Sequence, residues 1–190
     1  MEKTIKKLLV VTGANKGIGY SIIDSLLRQK NTDYTILLCC RTTKNGEEAI
    51  NKLKEKHGDL VNNVKIAELD ISDEKSTQNF VELIKKSYDS KITCLVNNAG
   101  VAVKGDSGVG EKTENDYTTE VFDYTFGVNV FSTVKFTKLI LSNNLIQDSG
   151  KIVFIGSNIG KLFRIKNDEI REKFKSKDLN EKTILDLASQ

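Results

Sequence analysis

The chain has 190 residues, of which 38% are hydrophobic and 29% charged, and it carries a net charge of +3. Those values bound it to one globular domain of ordinary soluble composition, large enough to bury a core. So small a charge, with Lys and Arg scattered among acids, excludes a nucleic-acid-binding stripe, and no apolar run approaches the length of a membrane span.

Taken in chain order, strand-like and helix-like runs alternate. The N-terminus enters a strand without the apolar region of a signal peptide, which points to a cytoplasmic protein. Residues 7–11 read as the first strand and 18–30 as a helix. An almost unbroken apolar run at 34–40 is the second strand, followed by a helix at 46–57 with Ala49, Ile50 and Leu53 on one face. Residues 64–69 form a short third strand. A helix at 73–88 opens with acids and carries Phe80, Val81 and Ile84 on its apolar face. The fourth strand, 92–96, leads into a Gly-, Lys- and Asp-rich loop at 101–116. One long helix is expected over 118–143, with Phe122, Phe126 and Val130 at core spacing. A fifth strand covers 151–155, and a charged, mostly helical tail begins at Lys161, its charges read as a solvated face. His57, before Gly58, reads as a helix C-terminal residue. Cys39, Cys40 and Cys94 sit in apolar strand-like runs without zinc spacing and read as buried reduced thiols. The sequence contains no proline. The alternation predicts an α/β fold, a doubly wound parallel sheet of Rossmann type covered on both faces, with no internal domain boundary over residues 1–190.

The polar and glycine residues collect at the carboxyl ends of the strands, where open sheets of this kind bind ligands. After the first strand comes Thr12-Gly13-Ala14-Asn15-Lys16-Gly17-Ile18-Gly19. A strand, a glycine loop and a helix N-terminus make a phosphate cradle, because unpaired N–H groups and the positive end of the helix dipole face the anion. The function therefore involves a dinucleotide. An NAD site usually places an acid after the second strand to hold the ribose hydroxyls. Here Cys40 is followed by Arg41, whose guanidinium suits a 2′-phosphate, and Lys16 adds a second charge, so NADPH is favoured over NADH. Asp70, after the third strand, offers an acceptor to an adenine amine or, alternatively, a helix N-cap beside Ser72 and Asp73. The absence of an acid at Cys40-Arg41 also argues against a methyltransferase on a similar sheet.

The glycine loop together with Asn97-Asn98-Ala99-Gly100, each behind a strand, resembles the short-chain dehydrogenase/reductase family. Arg41, Leu69-Asp70-Ile71 and the charged segment around 169–187 are similar to its monomeric NADPH-dependent carbonyl reductases. The resemblance spans essentially the whole chain. It implies that Thr12, Gly13, Asn15, Lys16, Gly17, Ile18 and Gly19 shape and line the pyrophosphate and ribose site, and that Arg41 holds the 2′-phosphate. Asp70 and Ile71 would flank the adenine, and Asn98, Ala99 and Gly100 would lie against the cofactor. Asn129 matches the catalytic asparagine that anchors a proton-relay water, and Ser157 the serine that hydrogen-bonds the substrate carbonyl oxygen. From the residues alone, Asn129 has the alternative of bonding its own helix and Ser157 of serving a turn.

The family's chemistry also uses a tyrosine acid with a lysine four residues later, the ammonium lowering the phenol's pKa. The tyrosines here stand at 20, 34, 88, 117 and 124, and none has that partner. The expectation is the amino-terminal part of a longer reductase, with the sheet's sixth and seventh strands absent and the fifth strand an exposed apolar edge. Two functions stay open. One is NADPH-dependent reduction of an aldehyde, ketone or quinone carbonyl. The other is a non-catalytic NADPH-binding module or truncated inactive product.

Overall fold

The computed structural model describes residues 7–30, 33–88, 91–102 and 118–188. Most of the loop expected at 101–116 lies outside the described residues. The chain divides into two compact units, Met1–Phe154 and Ile155–Gln190.

The first unit holds the sheet. In chain order it runs β1 (Lys7–Val11), α1 (Gly17–Arg28), β2 (Tyr34–Cys40), α2 (Thr43–His57), β3 (Val64–Glu68), α3 (Glu74–Ser87), β4 (Ile92–Asn97), α4 (Thr119–Phe126), a π-helical turn (Gly127–Ser132), α5 (Thr133–Ser142) and β5 (Ile146–Phe154). The strands lie in the order β3-β2-β1-β4-β5 and every pairing is parallel. This is the doubly wound sheet expected from the alternation. The order reverses between β1 and β4, which opens a crevice at their carboxyl ends.

Side chains alternate across a strand, so a near-continuous apolar run fills both faces of a covered sheet. Leu8, Val10, Leu37, Cys39 and Leu95 face one side with Phe80, Ile84, Phe136 and Ile140 of α3 and α5. Leu9, Val11, Ile36, Leu38 and Cys40 face the other with Ile23, Leu27, Ala49 and Leu53 of α1 and α2. Phe80 and Phe136 meet edge to face at 5.7 Å, tying α3 to α5. The cysteines are all free thiols, Cys39 and Cys40 buried and Cys94 half-buried. Burial pushes the Cys39 thiol far above its ordinary range.

Several boundaries differ from the sequence reading, each for a local reason. α2 starts three residues early because Thr42 caps it, its hydroxyl accepting from Asn45 N. Asp73 is the N-cap of α3 rather than its first residue, accepting from Ser76 N at 2.6 Å. The helix expected as one piece over 118–143 is interrupted by the π turn. There Ser132 Oγ donates to Gly127 O and Thr133 Oγ1 to Val128 O, five residues back in each case. Phe126 and Val130, read as core, are only half-buried, and Phe126 packs on Phe131 instead. The side chain of Phe122 lies outside the description. The core face of this stretch belongs to Thr133, Phe136, Thr137 and Ile140. β5 begins at Ile146 because Ile92 pairs with Ile146 and Cys94 with Lys151, so residues 147–150 bulge out opposite Thr93. β5 lies at the sheet edge with Val153 39% and Phe154 57% exposed, as an apolar edge strand.

The second unit contains two single-turn pieces, Asn158–Gly160 and Leu162–Arg164, then α6 (Asp168–Lys173) and α7 (Glu181–Ala188). Asn167 caps α6 by accepting from Ile170 N. Its charges pair along the helix, Arg171 with Asp168, Lys173 with Glu169 and Lys175 with Glu172, as on a solvated face.

One contact sets the spacing of α1 and α2, whose N-termini both face the crevice. Asp24 of α1 is buried, at 6% exposure, yet ionised. The ring N–H of His57, last residue of α2, donates to its Oδ1 at 3.0 Å, and Arg28 grips Oδ2 at 2.7 and 3.1 Å. Lys56 adds a longer contact at 3.5 Å. The His57 bond, with Arg28 behind it, outweighs burial and lowers the Asp24 pKa to about 2. His57 is thus the helix C-terminal residue expected and also a clasp across two helices. A carboxylate with a depressed folded pKa stabilises above its unfolded value near ~3.9 and loses that contribution as pH falls toward the folded one. Asp24→Asn should therefore lower unfolding free energy at neutral pH by about 1.5–3 kcal/mol in urea titrations. The gap should persist to about pH 4 and close as the pH approaches 2. A gap that did not change between those limits would contradict the assignment.

Candidate functional site

The crevice at the carboxyl ends of β1, β2, β3 and β4 is a cleft of about 320 Å³. It brings together Gly13, Asn15, Lys16, Gly17, Ile18, Arg41, Asp70, Ile71, Asn98, Ala99 and Gly100, all expected from the sequence. Cys40, Asn45, Leu69, Ser72, Val101, Tyr124 and Val128 line it as well. Of these, Asn45 carried a local signal, in the first turn of α2 four residues after Arg41. Val101, Tyr124 and Val128 carried none, because their place depends on how α4 and the π turn pack.

Thr12 and Gly19 stand behind the cleft and build it. The Thr12 hydroxyl accepts from Asn98 N at 3.0 Å and Ala99 N at 2.9 Å, and it donates to Val96 O at 3.3 Å. One donor and two lone pairs are thereby all engaged. Asn98 replies with its side-chain amide, donating to Thr12 O at 2.8 Å and Gly13 O at 3.1 Å. The exits of β1 and β4 are therefore stitched in both directions. Two of the loop's glycines serve this stitch. A Cβ on Gly13 would stand 2.8 Å from Ala99 Cα, and one on Gly19 2.5 Å from Asn98 Nδ2. Gly17 differs: its φ is +59° and a Cβ there would meet nothing within 4 Å. It turns the chain in a region left open toward the cleft.

α1 begins at that turn and has no side-chain cap, with Lys16 at the N-cap position. α2, α3 and α4 are capped by Thr42, Asp73 and Thr118. The first turn of α1 thus presents bare N–H groups and the positive end of the dipole, with no acid in that turn to neutralise it. Lys16, Gly17 and Ile18 are exposed around it. Arg41 is exposed at the end of β2, next to Thr42, the cap of α2. Residues of this kind fit a dinucleotide, with the pyrophosphate on the α1 turn, and Gly17 leaves room for its approach.

Asp70 has a local structural role beside the two open to it from the sequence. Its Oδ1 accepts from Ser72 N at 2.9 Å and Ser72 Oγ at 2.6 Å, an Asx turn that shapes the β3 exit. The N-cap role falls to Asp73. Asp70 N donates to Ser76 Oγ at 2.9 Å. Asn129 does not bond its own helix. Its Oδ1 accepts from Val101 N at 2.7 Å and its Nδ2 donates to Val101 O at 2.8 Å, a two-point clamp of the π turn onto the β4 exit. Deeper down, Asn97 ties the end of β4 to α5 by a single bond, donating to Thr137 Oγ1 at 3.0 Å. Ser157 belongs to the second unit, where its carbonyl accepts from Gly160 N at 3.1 Å.

The stitch gives a direct test. Thr12→Val keeps the shape but removes the acceptor for two N–H groups. Chemical denaturation should show a loss of roughly 2–4 kcal/mol, two unsatisfied donors at about 1–2 kcal/mol each. A loss below about 0.5 kcal/mol, the ordinary scatter of a silent substitution, would contradict the role.

Residues 7–167 match the family model of the short chain dehydrogenases. Carbonyl reductase (NADPH) 1 of Mus musculus is 30% identical, the match covering 97% of this chain and 61% of that protein. Salutaridine reductase of Papaver somniferum is 29% identical over 89% of this chain and 60% of that protein. The chain thus spans about 60% of the length of these curated relatives. Among solved structures, menthone neomenthol reductase from Mentha piperita superposes with a TM-score of 0.80 at 26% identity, covering 97% of this chain and 72% of that one. With the glycine loop, the 97–100 segment and the five-stranded sheet in place, the chain belongs to the short-chain dehydrogenase/reductase family, whose members bind nicotinamide cofactors.

Proposed function

We propose that this chain carries the cofactor site of an NADPH-dependent carbonyl reductase, acting on an aldehyde, ketone or quinone. The observation that carries the NADPH reading is Arg41, exposed on the cleft wall at the end of β2, where the chain itself places no acid between Cys40 and Thr43. Lys16 at the α1 N-cap and the uncapped helix end add to the same positive field. In this reading Arg41 pairs with the 2′-phosphate, and the bare turn of α1 receives the pyrophosphate. Asp70 and Ile71 flank the adenine, and Asn98, Ala99 and Gly100 form the floor. The names of the matched relatives, which include an NADPH carbonyl reductase, agree with it.

The bound cofactor would supply a hydride to the carbonyl carbon. Asn129 would fix the helix wall beside the nicotinamide end through its clamp on Val101. Its amide has a second N–H and a second lone pair for a relay water. Ser157 would hydrogen-bond the carbonyl oxygen. The same reading has the protein working as a cytoplasmic monomer on a small molecule.

The alternative reading is a non-catalytic NADPH-binding module. A chain that only binds NADPH would leave its absorbance unchanged when a quinone or reactive aldehyde is added, whereas a reductase would consume it.

Arg41→Asp tests the cofactor assignment. It should weaken NADPH binding by about 10- to 100-fold, the loss of a charge-assisted contact worth roughly 1.5–3 kcal/mol, and shift preference toward NADH in fluorescence titrations. An unchanged NADPH affinity would overturn the 2′-phosphate role.

A further inference from the structure

One large side chain on the cleft wall has no part in the proposed cofactor contacts. Tyr124, on α4, lines the cleft and is 50% exposed. Val128 follows it by one turn and lines the same cleft, so the two share a helix face. That face is held in position, because Asn129 clamps Val101, another lining residue, at both its N–H and its carbonyl. The wall is therefore anchored even though the ring at its end stands in water.

We infer that Tyr124 is a base platform, covering the purine ring of the dinucleotide from the α4 side. The inference rests on the reading of the cleft as an NADPH site. Part of the lining that Tyr124 shares suits a flat, uncharged, aromatic ligand rather than another anion. Val128 and Ile71 offer apolar surface, and Asp70 offers an acceptor for an exocyclic amine. The cations at Lys16 and Arg41 account for the phosphates and Asn129, five residues further along the chain, for the nicotinamide end, which leaves the purine as the part of the ligand suited to Tyr124. A phenol ring stacks on any base through its π-face and loses little conformational freedom in doing so. An exposed tyrosine on a fixed wall is thus placed to contribute binding that a solvated surface residue would not.

The test uses the 190-residue chain and adenosine 2′,5′-bisphosphate, which carries the base and the 2′-phosphate without the nicotinamide. Tyr124→Ala should weaken its binding about tenfold, within the range of base–aromatic stacking, while Tyr124→Phe should stay within about twofold of the parent. Tyr124→Leu keeps apolar bulk without the ring, and it should bind about as weakly as the alanine variant. Parent-like binding by the alanine or leucine variant would overturn the platform while leaving the NADPH reading intact. Equal weakening in the phenylalanine variant would overturn it too, since the ring would not be what matters. If the parent chain binds neither this probe nor NADPH, the NADPH reading fails and the platform fails with it.

Discussion

The hydroxyl of Thr12 is the contact on which the rest of the site depends. It sits where β1 and β4 end side by side, and it satisfies two backbone donors of the opposite strand exit while giving its own proton to a third group. Asn98 returns two bonds to the backbone on the Thr12 side. Parallel neighbours at a topological switch point have diverging exits, and their backbone groups there lack ladder partners. The stitch supplies those partners. It also fixes how close the two exits run, which is why Gly13 and Gly19 must lack a Cβ. Only Gly17 is left to shape the open side of the turn. Glycines that look alike in sequence thus divide into two that pack protein on protein and one that faces the cleft.

With the exits fixed, electrostatics assigns the ends of the cleft. α1 is left uncapped where its neighbours are capped, so its dipole and N–H groups remain available to an anion. The Asp24 clasp lies at the far end of α1 and α2, where a buried carboxylate draws Arg28, His57 and Lys56 together. It keeps the two helices in register without putting negative charge near the cleft. Positive groups therefore remain exposed at Lys16 and Arg41. Asn129 plays on the β4 side the part that Thr12 plays on the β1 side, locking a helical wall to a strand exit through Val101.

Much of this was legible in the sequence, and the reason is locality. The five strands, the order of elements and the residues of the glycine loop follow from short-range patterning, as does the step from Cys40 to Arg41. What escaped is long-range or silent in composition. The partner of Thr12 lies 86 residues away, and that of Asp24 33 residues away. No periodicity announces either. The π turn changes the number of residues per turn and not the kind, so 118–143 reads as one straight helix. That error also misplaced Phe126 and Val130 in the core and hid Tyr124 and Val128 from the site. The N-cap open to Asp70 goes to Asp73 instead, because Ser72, two residues on from Asp70, engages its Oδ1 in a turn.

The central claim is that the bare first turn of α1, held by the Thr12–Asn98 stitch, receives a dinucleotide's pyrophosphate while Arg41 receives its 2′-phosphate. Phosphorus-31 NMR of NADP titrated with the protein separates the two, because the pyrophosphate and the 2′-phosphate resonate apart. The account predicts saturable perturbation of both signals with one shared affinity. A 2′-phosphate signal that moves while the pyrophosphate stays at its free position would contradict it, reducing Arg41 and Lys16 to surface cations that attract any phosphate.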